Sequence, residues 1–142
     1  MLIRSLAVLL VLAAAVSADG ERDNQVDNVR KVPPPGVKVP DADKAELGAG
    51  LEALGKEIDA IRTELKDKPA LALLPDVEIY HKAVRYALQY DEIFNVKEIA
   101  AAKNQLQLGM HRAKQLREGT PNWWNTRGPV SLGYVSKIDG SV

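Results

Sequence analysis

The sequence predicts a mainly α fold, an antiparallel helical hairpin or a three-helix bundle, followed by the start of a β-hairpin. Two observations predict it. Between Asp41 and Gly119 three segments carry apolar residues at helical spacing with short breaks between them. After Gly119 that period stops, and an alternating run leads into Asp139-Gly140, a strong hairpin-turn signal.

The chain opens on MLIRSLAVLLVLAAAVSA. Arg4 supplies a positive start, Leu6 to Val16 is uninterrupted and apolar, and Val16-Ser17-Ala18 ends in small residues. The run is shorter than the roughly 20 apolar residues that span a bilayer. Residues 1–18 therefore read as a secretory signal peptide cleaved after Ala18, with an uncleaved N-terminal anchor as the alternative. Export to the periplasm or the extracellular space follows, with no membrane association after cleavage. Residues 19–40 read as a disordered, Pro-rich tether. Asp19 to Lys31 is charged and aperiodic. Val32 to Pro40 holds four prolines in nine residues and predicts an extended, semi-stiff spacer.

Residues 41–119 form the helical unit. The first helix is expected over about Ala42 to Lys66, capped by Asp41 with Asp43 nearby. Leu47, Leu51, Leu54, Ile58, Ile61 and Leu65 recur at spacings of 4, 3, 4, 3 and 4, a heptad-like stripe. An exposed stripe of this kind would favour self-association. Gly48, Gly50 and Gly55 weaken the helix by roughly 1 kcal/mol each relative to alanine, and they permit close approach of a neighbour. Pro75-Asp76 opens the second helix, expected to reach Phe94. Asn95 starts the third, with Glu98 completing a capping box. Its stripe is Ile99, Ala102, Leu106, Gly109, Ala113 and Leu116, and Gly119 fits the C′ position.

Composition excludes several function classes. Lys plus Arg equals Asp plus Glu at 19 each; removing Arg4 with the leader leaves 18 against 19, a net charge of −1. No net basic field attracts nucleic acid. There is no cysteine, hence no disulfide, thiol catalysis, Cys-ligated metal or lipid-anchored leader. No cofactor is implied. Glu78 and His81 form the E-x-x-H spacing of di-iron bundles. Those sites need a second copy and two further carboxylates, and His111 has Leu108 where the Glu would stand. Asp91 and Glu92 are adjacent and face apart on a helix. GAGLEA at Gly48 matches a dinucleotide fingerprint in letters only, because it sits inside a helical pattern with no preceding strand. No G-x-S-x-G occurs. Trp123 and Trp124, in a Pro/Asn/Thr loop, are the conspicuous candidates for contact with a partner or a sugar ring; packing onto the helical unit is the simpler use.

Residues 120–142 read as a loop and an incomplete β-hairpin. Val130, Leu132, Tyr134 and Val135 suggest a strand, yet only Ser141 and Val142 follow the turn. The chain reads as interrupted inside a following domain. The segment GYVSKIDGSV, with Tyr134, Ser136, Asp139, Gly140 and Ser141, resembles the opening hairpin of exported α/β-hydrolases of the prolyl-oligopeptidase and esterase type. In those proteins a strand, an Asp-Gly turn and a second strand lead into the catalytic sheet. Predicted exported hydrolases with a signal peptide, a Pro-rich spacer and a helical segment similar to LPDVEIYHKAVRYAL resemble residues 33–142 more broadly. The resemblance implies hydrolysis of ester or peptide bonds by a downstream domain that the helical unit packs on or partly covers. The Ser, Asp and His triad would lie beyond Val142, so no catalytic residue is assigned in this chain. The alternative is a free-standing exported helical module with a binding or structural role.

Overall fold

The structure, a computed structural model, describes residues 34–142, so the expected leader and most of the expected tether lie outside the described residues. Three α-helices make up the folded unit: α1 (Asp41–Glu64), α2 (Pro75–Gln89) and α3 (Lys97–Arg117). Short 3₁₀ turns at Pro69–Leu73 and Trp123–Asn125 flank α2 and follow α3.

Each helix packs on the other two, and the cross-contacts set their directions. Going along α1, Asp43 meets Lys103, Gly50 meets Leu106, Leu54 meets Gly109 and Glu64 meets Arg117, so α1 and α3 run parallel. Going back along α2, Glu78 meets Arg62 and His81 meets Gly55, while Asp76 meets Arg112 and Tyr80 meets Gly109. Helix α2 is therefore antiparallel to both. Of the two expected arrangements the three-helix one is present.

The stripes predict the core. Leu47, Leu54, Ile58, Ile61 and Leu65 are buried from the α1 segment, with Val77, Tyr80 and Val84 from α2 and Ile99, Ala102, Leu106, Ala113 and Leu116 from α3. The α1 stripe is thus covered by the chain's own helices and is not left free for a coiled-coil partner. Gly109 is where the three helices meet. A Cβ there would lie 2.7 Å from Leu54 Cδ2 and 3.0 Å from Tyr80 Cβ.

Helix ends follow local chemistry, with two corrections. Asp41 lies inside the first turn and Pro40 precedes it, with no side-chain cap; the acidic pair Asp41 and Asp43 acts on the helix dipole instead. Helix α2 stops at Gln89 rather than Phe94. Asp91 adopts a left-handed conformation (φ 53°), and the Glu92 N–H donates back to the Ala87 carbonyl at 2.9 Å, closing the helix. The apolar letters that extended the expected helix, Tyr90 and Phe94, are exposed. Helix α3 begins at Lys97, two residues after the expected Asn95, while the Asn95 and Glu98 side chains bond the entry as the box predicts. Glu98 Oε2 accepts from the Phe94 and Asn95 N–H groups, and Asn95 Oδ1 accepts from the Lys97 N–H. Gly119 (φ 71°) ends it with a Schellman pair: Thr120 N–H donates to the Gln115 carbonyl and Gly119 N–H to that of Leu116.

The end of the expected tether is part of the folded unit. Gly36 and Val37 N–H groups donate to the Asp91 and Ile93 carbonyls, both at 2.7 Å, and Val37 and Val39 pack against the core. A Cβ at Gly36 would lie 2.3 Å from the Asp91 oxygen, so only glycine allows this approach.

The expected β-hairpin start is not formed; the described residues contain no strand. The Asp139-Gly140 turn itself is present, with Gly140 at φ 71°. Ser136 N–H donates to the Ser141 carbonyl at 2.8 Å and Gly140 N–H to the Ser136 carbonyl at 3.0 Å. Among the described residues no second strand pairs with the run before the turn, and they show a closed turn.

Candidate functional site

The C-terminal segment is bolted to the bundle at a buried joint, meets α2 again through Val142, and carries apolar side chains outward between the two. The bolt is Asp76, in the first turn of α2. Its Oδ2 accepts from Trp123 Nε1 at 2.9 Å, and its Oδ1 accepts from the Gly133 N–H at 2.5 Å. Gly133 lies so close that a Cβ would fall 2.1 Å from the Pro75 carbonyl carbon and oxygen. Arg112, from α3, completes the joint. Its Nη1 donates to the Asp76 carbonyl at 3.0 Å and to the Ser131 carbonyl at 2.7 Å. Its guanidinium lies 4.9 Å from the Tyr80 ring centroid and 5.2 Å from that of Trp123.

Beyond this joint the apolar side chains turn to solvent. Leu132, Tyr134 and Val135 are exposed, and Ile138 is 99% exposed. These are the residues that the alternation marks as a strand. Their N–H and C=O groups find no ladder among the described residues, so the segment has apolar surface and backbone valence to offer.

The two tryptophans part ways. Trp123 is buried against Tyr80's partner Arg112 and hydrogen-bonded through its indole to Asp76. Trp124 is 45% exposed and meets Trp123 edge to face at 5.3 Å. They do not share one exposed platform; Trp124 alone presents a ring to a partner or sugar.

The other candidates are placed as follows. Glu78 pairs with Arg62 at 2.5 Å, not with His81. His81 lies against α1, its imidazole facing Gly55. Burial, and then the positive charge of Arg85, push its pKa below the usual histidine value. His111 is exposed beside the buried Arg112, and Asp91 and Glu92 lie in the α2–α3 loop. Among the described residues no group of three or more His, Asp or Glu side chains converges to hold a metal. No helix among them is long and apolar enough to cross a membrane. Tyr86 is covered by Arg85 and stacks toward Tyr90 at 5.6 Å, a local surface cluster.

Two clefts open on the bundle surface, the second of them at the joint. One, of about 400 Å³, lies between α1 and α2 and mixes Asp59, Arg62, Glu78 and Arg85, with Lys82 donating to the Val142 carbonyl. The second, of about 320 Å³, lies over α3 and is lined by Arg112, Gln115, Trp123 and Ser131 among others. A more apolar groove of about 350 Å³ runs between α1 and α3 along Leu47, Gly50, Leu106 and Met110.

No family model, curated protein or solved structure matches the chain.

Sequence reasoning passed over Asp76, Arg112 and Gly133. Asp76 reads as an ordinary first-turn acid, and Arg112 as a solvated neighbour of His111. The one available signal was position: Arg112 lies three residues from both Gly109 and Gln115, beside the apolar stripe of α3.

Proposed function

We propose that this chain is the non-catalytic N-terminal helical region of an exported serine hydrolase, and that it presents residues 130–138 for docking on the catalytic domain. The observation that carries this reading is the exposed apolar run Leu132, Tyr134, Val135 and Ile138, rooted rigidly at Gly133 on Asp76. An apolar segment with unpaired backbone suits addition to a sheet edge, where a partner supplies both the ladder and the cover. The catalytic sheet of an α/β-hydrolase is such a partner, and the resemblance of GYVSKIDGSV to that family's opening hairpin points to it. In this reading the second hairpin strand and the Ser, Asp and His triad lie beyond Val142. The leader-like residues 1–18 support export. The substrate bond, ester or peptide, is the family's.

The test uses the native polypeptide. Antibody against residues 34–142 captures it from the source cells, and a fluorophosphonate probe then reports an activated serine. The expected result is a labelled band much heavier than the 15.5 kDa of the 142-residue sequence. An unlabelled band of about that mass overturns the proposal. The free-standing binding module then takes its place, with the apolar α1–α3 groove as the surface that favours it.

A further inference from the structure

We propose that the cleft over α3 is a binding site for a carboxylate, the chemistry of a peptide C-terminus or an N-acyl amino acid. Arg112 carries the argument. It is only 6% exposed, yet no carboxylate of the described residues lies within 4.0 Å of its guanidinium nitrogens. Asp76, the acid packed nearest in the joint, gives both its oxygens to Trp123 and Gly133. A buried charge without an ionic partner is costly, and proteins normally pair it.

The geometry says which edge is free. Nη1 has two hydrogens, and the carbonyls of Asp76 and Ser131 take them. The Tyr80 and Trp123 ring centroids lie 4.9 and 5.2 Å from its Cζ. That leaves Nε and Nη2 without a protein acceptor among the described residues. Neither is sealed from solvent, because the one buried side-chain nitrogen or oxygen without a partner among the described residues is Gln115 Oε1. Nε and Nη2 form the side-on fork that takes a carboxylate through two parallel hydrogen bonds.

The lining is the second, independent observation: it includes the permanently charged Arg112 but no Asp or Glu, in a chain whose acidic and basic residues are equal in number. The cleft between α1 and α2 is different: its Arg62 is paired with Asp59 and Glu78 of the same lining. Leu108 and Val130 add an apolar wall for the group beside the carboxylate. The site does not depend on the hydrolase reading.

Trp123 reports binding directly. In the full chain carrying Trp124→Phe it is the sole tryptophan. Its fluorescence and the Tm are followed on titration with N-acetyl-leucine, N-acetyl-leucinamide and acetyl-Ala-Ala-Leu, each to about 10 mM, which covers the millimolar range where single-contact ligands bind. The acids are expected to bind saturably and the amide about ten-fold more weakly or worse, as loss of a charge-assisted pair dictates. Tighter binding of the tripeptide identifies a peptide C-terminus; equal binding identifies the small N-acyl acid. Equal responses to acid and amide, or no response of either readout to any acid, overturn the proposal.

Discussion

Replacing Asp76 with alanine tests the joint that holds the C-terminal segment to the bundle. The carboxylate serves two donors, Trp123 Nε1 at 2.9 Å and the Gly133 N–H at 2.5 Å. Hydrogen bonds to a charged group contribute about 1.5–3 kcal/mol, and a buried donor left alone carries its desolvation cost. Trp123 is buried, so its orphaned indole N–H falls toward the upper part of that range. Gly133 is half-buried and regains water when the segment lifts, so its loss is nearer 1 kcal/mol. The sum for Asp76→Ala is about 3–4 kcal/mol, a third to a half of the stability of a domain of roughly 100 residues. Urea denaturation followed by far-UV circular dichroism measures it, with Trp123 fluorescence tracking release of the tail. Trp123→Phe, combined with Asp76→Ala in a double-mutant cycle, should show a coupling of about 1–2 kcal/mol. A loss under about 0.5 kcal/mol with no coupling would refute the reasoning, because the two donors would then be satisfied as well by water as by Asp76.

Three further outcomes follow from the same contacts. Gly48 has no atom within 4 Å of an added Cβ, whereas Gly109 has Leu54 Cδ2 at 2.7 Å and Tyr80 Cβ at 3.0 Å; Gly48→Ala should therefore stabilise by about 0.5–1 kcal/mol and Gly109→Ala destabilise by about 1–2 kcal/mol, both read from urea midpoints. Gly36→Ala pushes a Cβ to 2.3 Å from the Asp91 oxygen, so the Pro35–Val39 stretch should lift and limited proteolysis should cut there first, with the helical core unchanged by circular dichroism. His81 titrates below its unfolded value because of burial and Arg85, so the unfolded chain binds the proton more readily; its contribution to stability is complete above the unfolded pKa of about 6.5 and declines as the pH falls from there through the folded pKa. Replacing His81 with Gln should flatten that decline in urea midpoints measured across the same range.

The helices were legible because their information is local and repeated. The stripes of α1 and α3 are six residues each at 3–4 spacing, and most of those residues are in the core. The Asn95–Glu98 box and Gly119 mark both ends of α3 with residues whose chemistry has few other uses at those positions. The end of α2 was not legible, because Asp91 terminates it by adopting a left-handed conformation. Aspartate tolerates that conformation without advertising it as glycine does, and the apolar letters beyond it continued the pattern falsely.

The joint was hidden for a different reason: each of its members has an ordinary local role that accounts for its letter. Asp76 suits a helix N-terminus, Gly133 suits a turn, and Arg112 suits an exposed helix face. Their shared function arises from contacts spanning 19 to 57 residues of sequence, and no local spacing encodes those. Trp123 was the one member flagged by type, and its indole N–H required a buried acceptor once its ring was buried. That requirement leads to Asp76, and from Asp76 to Gly133. Asp76 turns its two oxygens to those donors, and among the described residues no carboxylate lies within 4.0 Å of the Arg112 guanidinium nitrogens. The anchoring of the tail and the vacancy at the guanidinium edge are therefore one arrangement: the acid that could have neutralised Arg112 is committed to holding the segment in place.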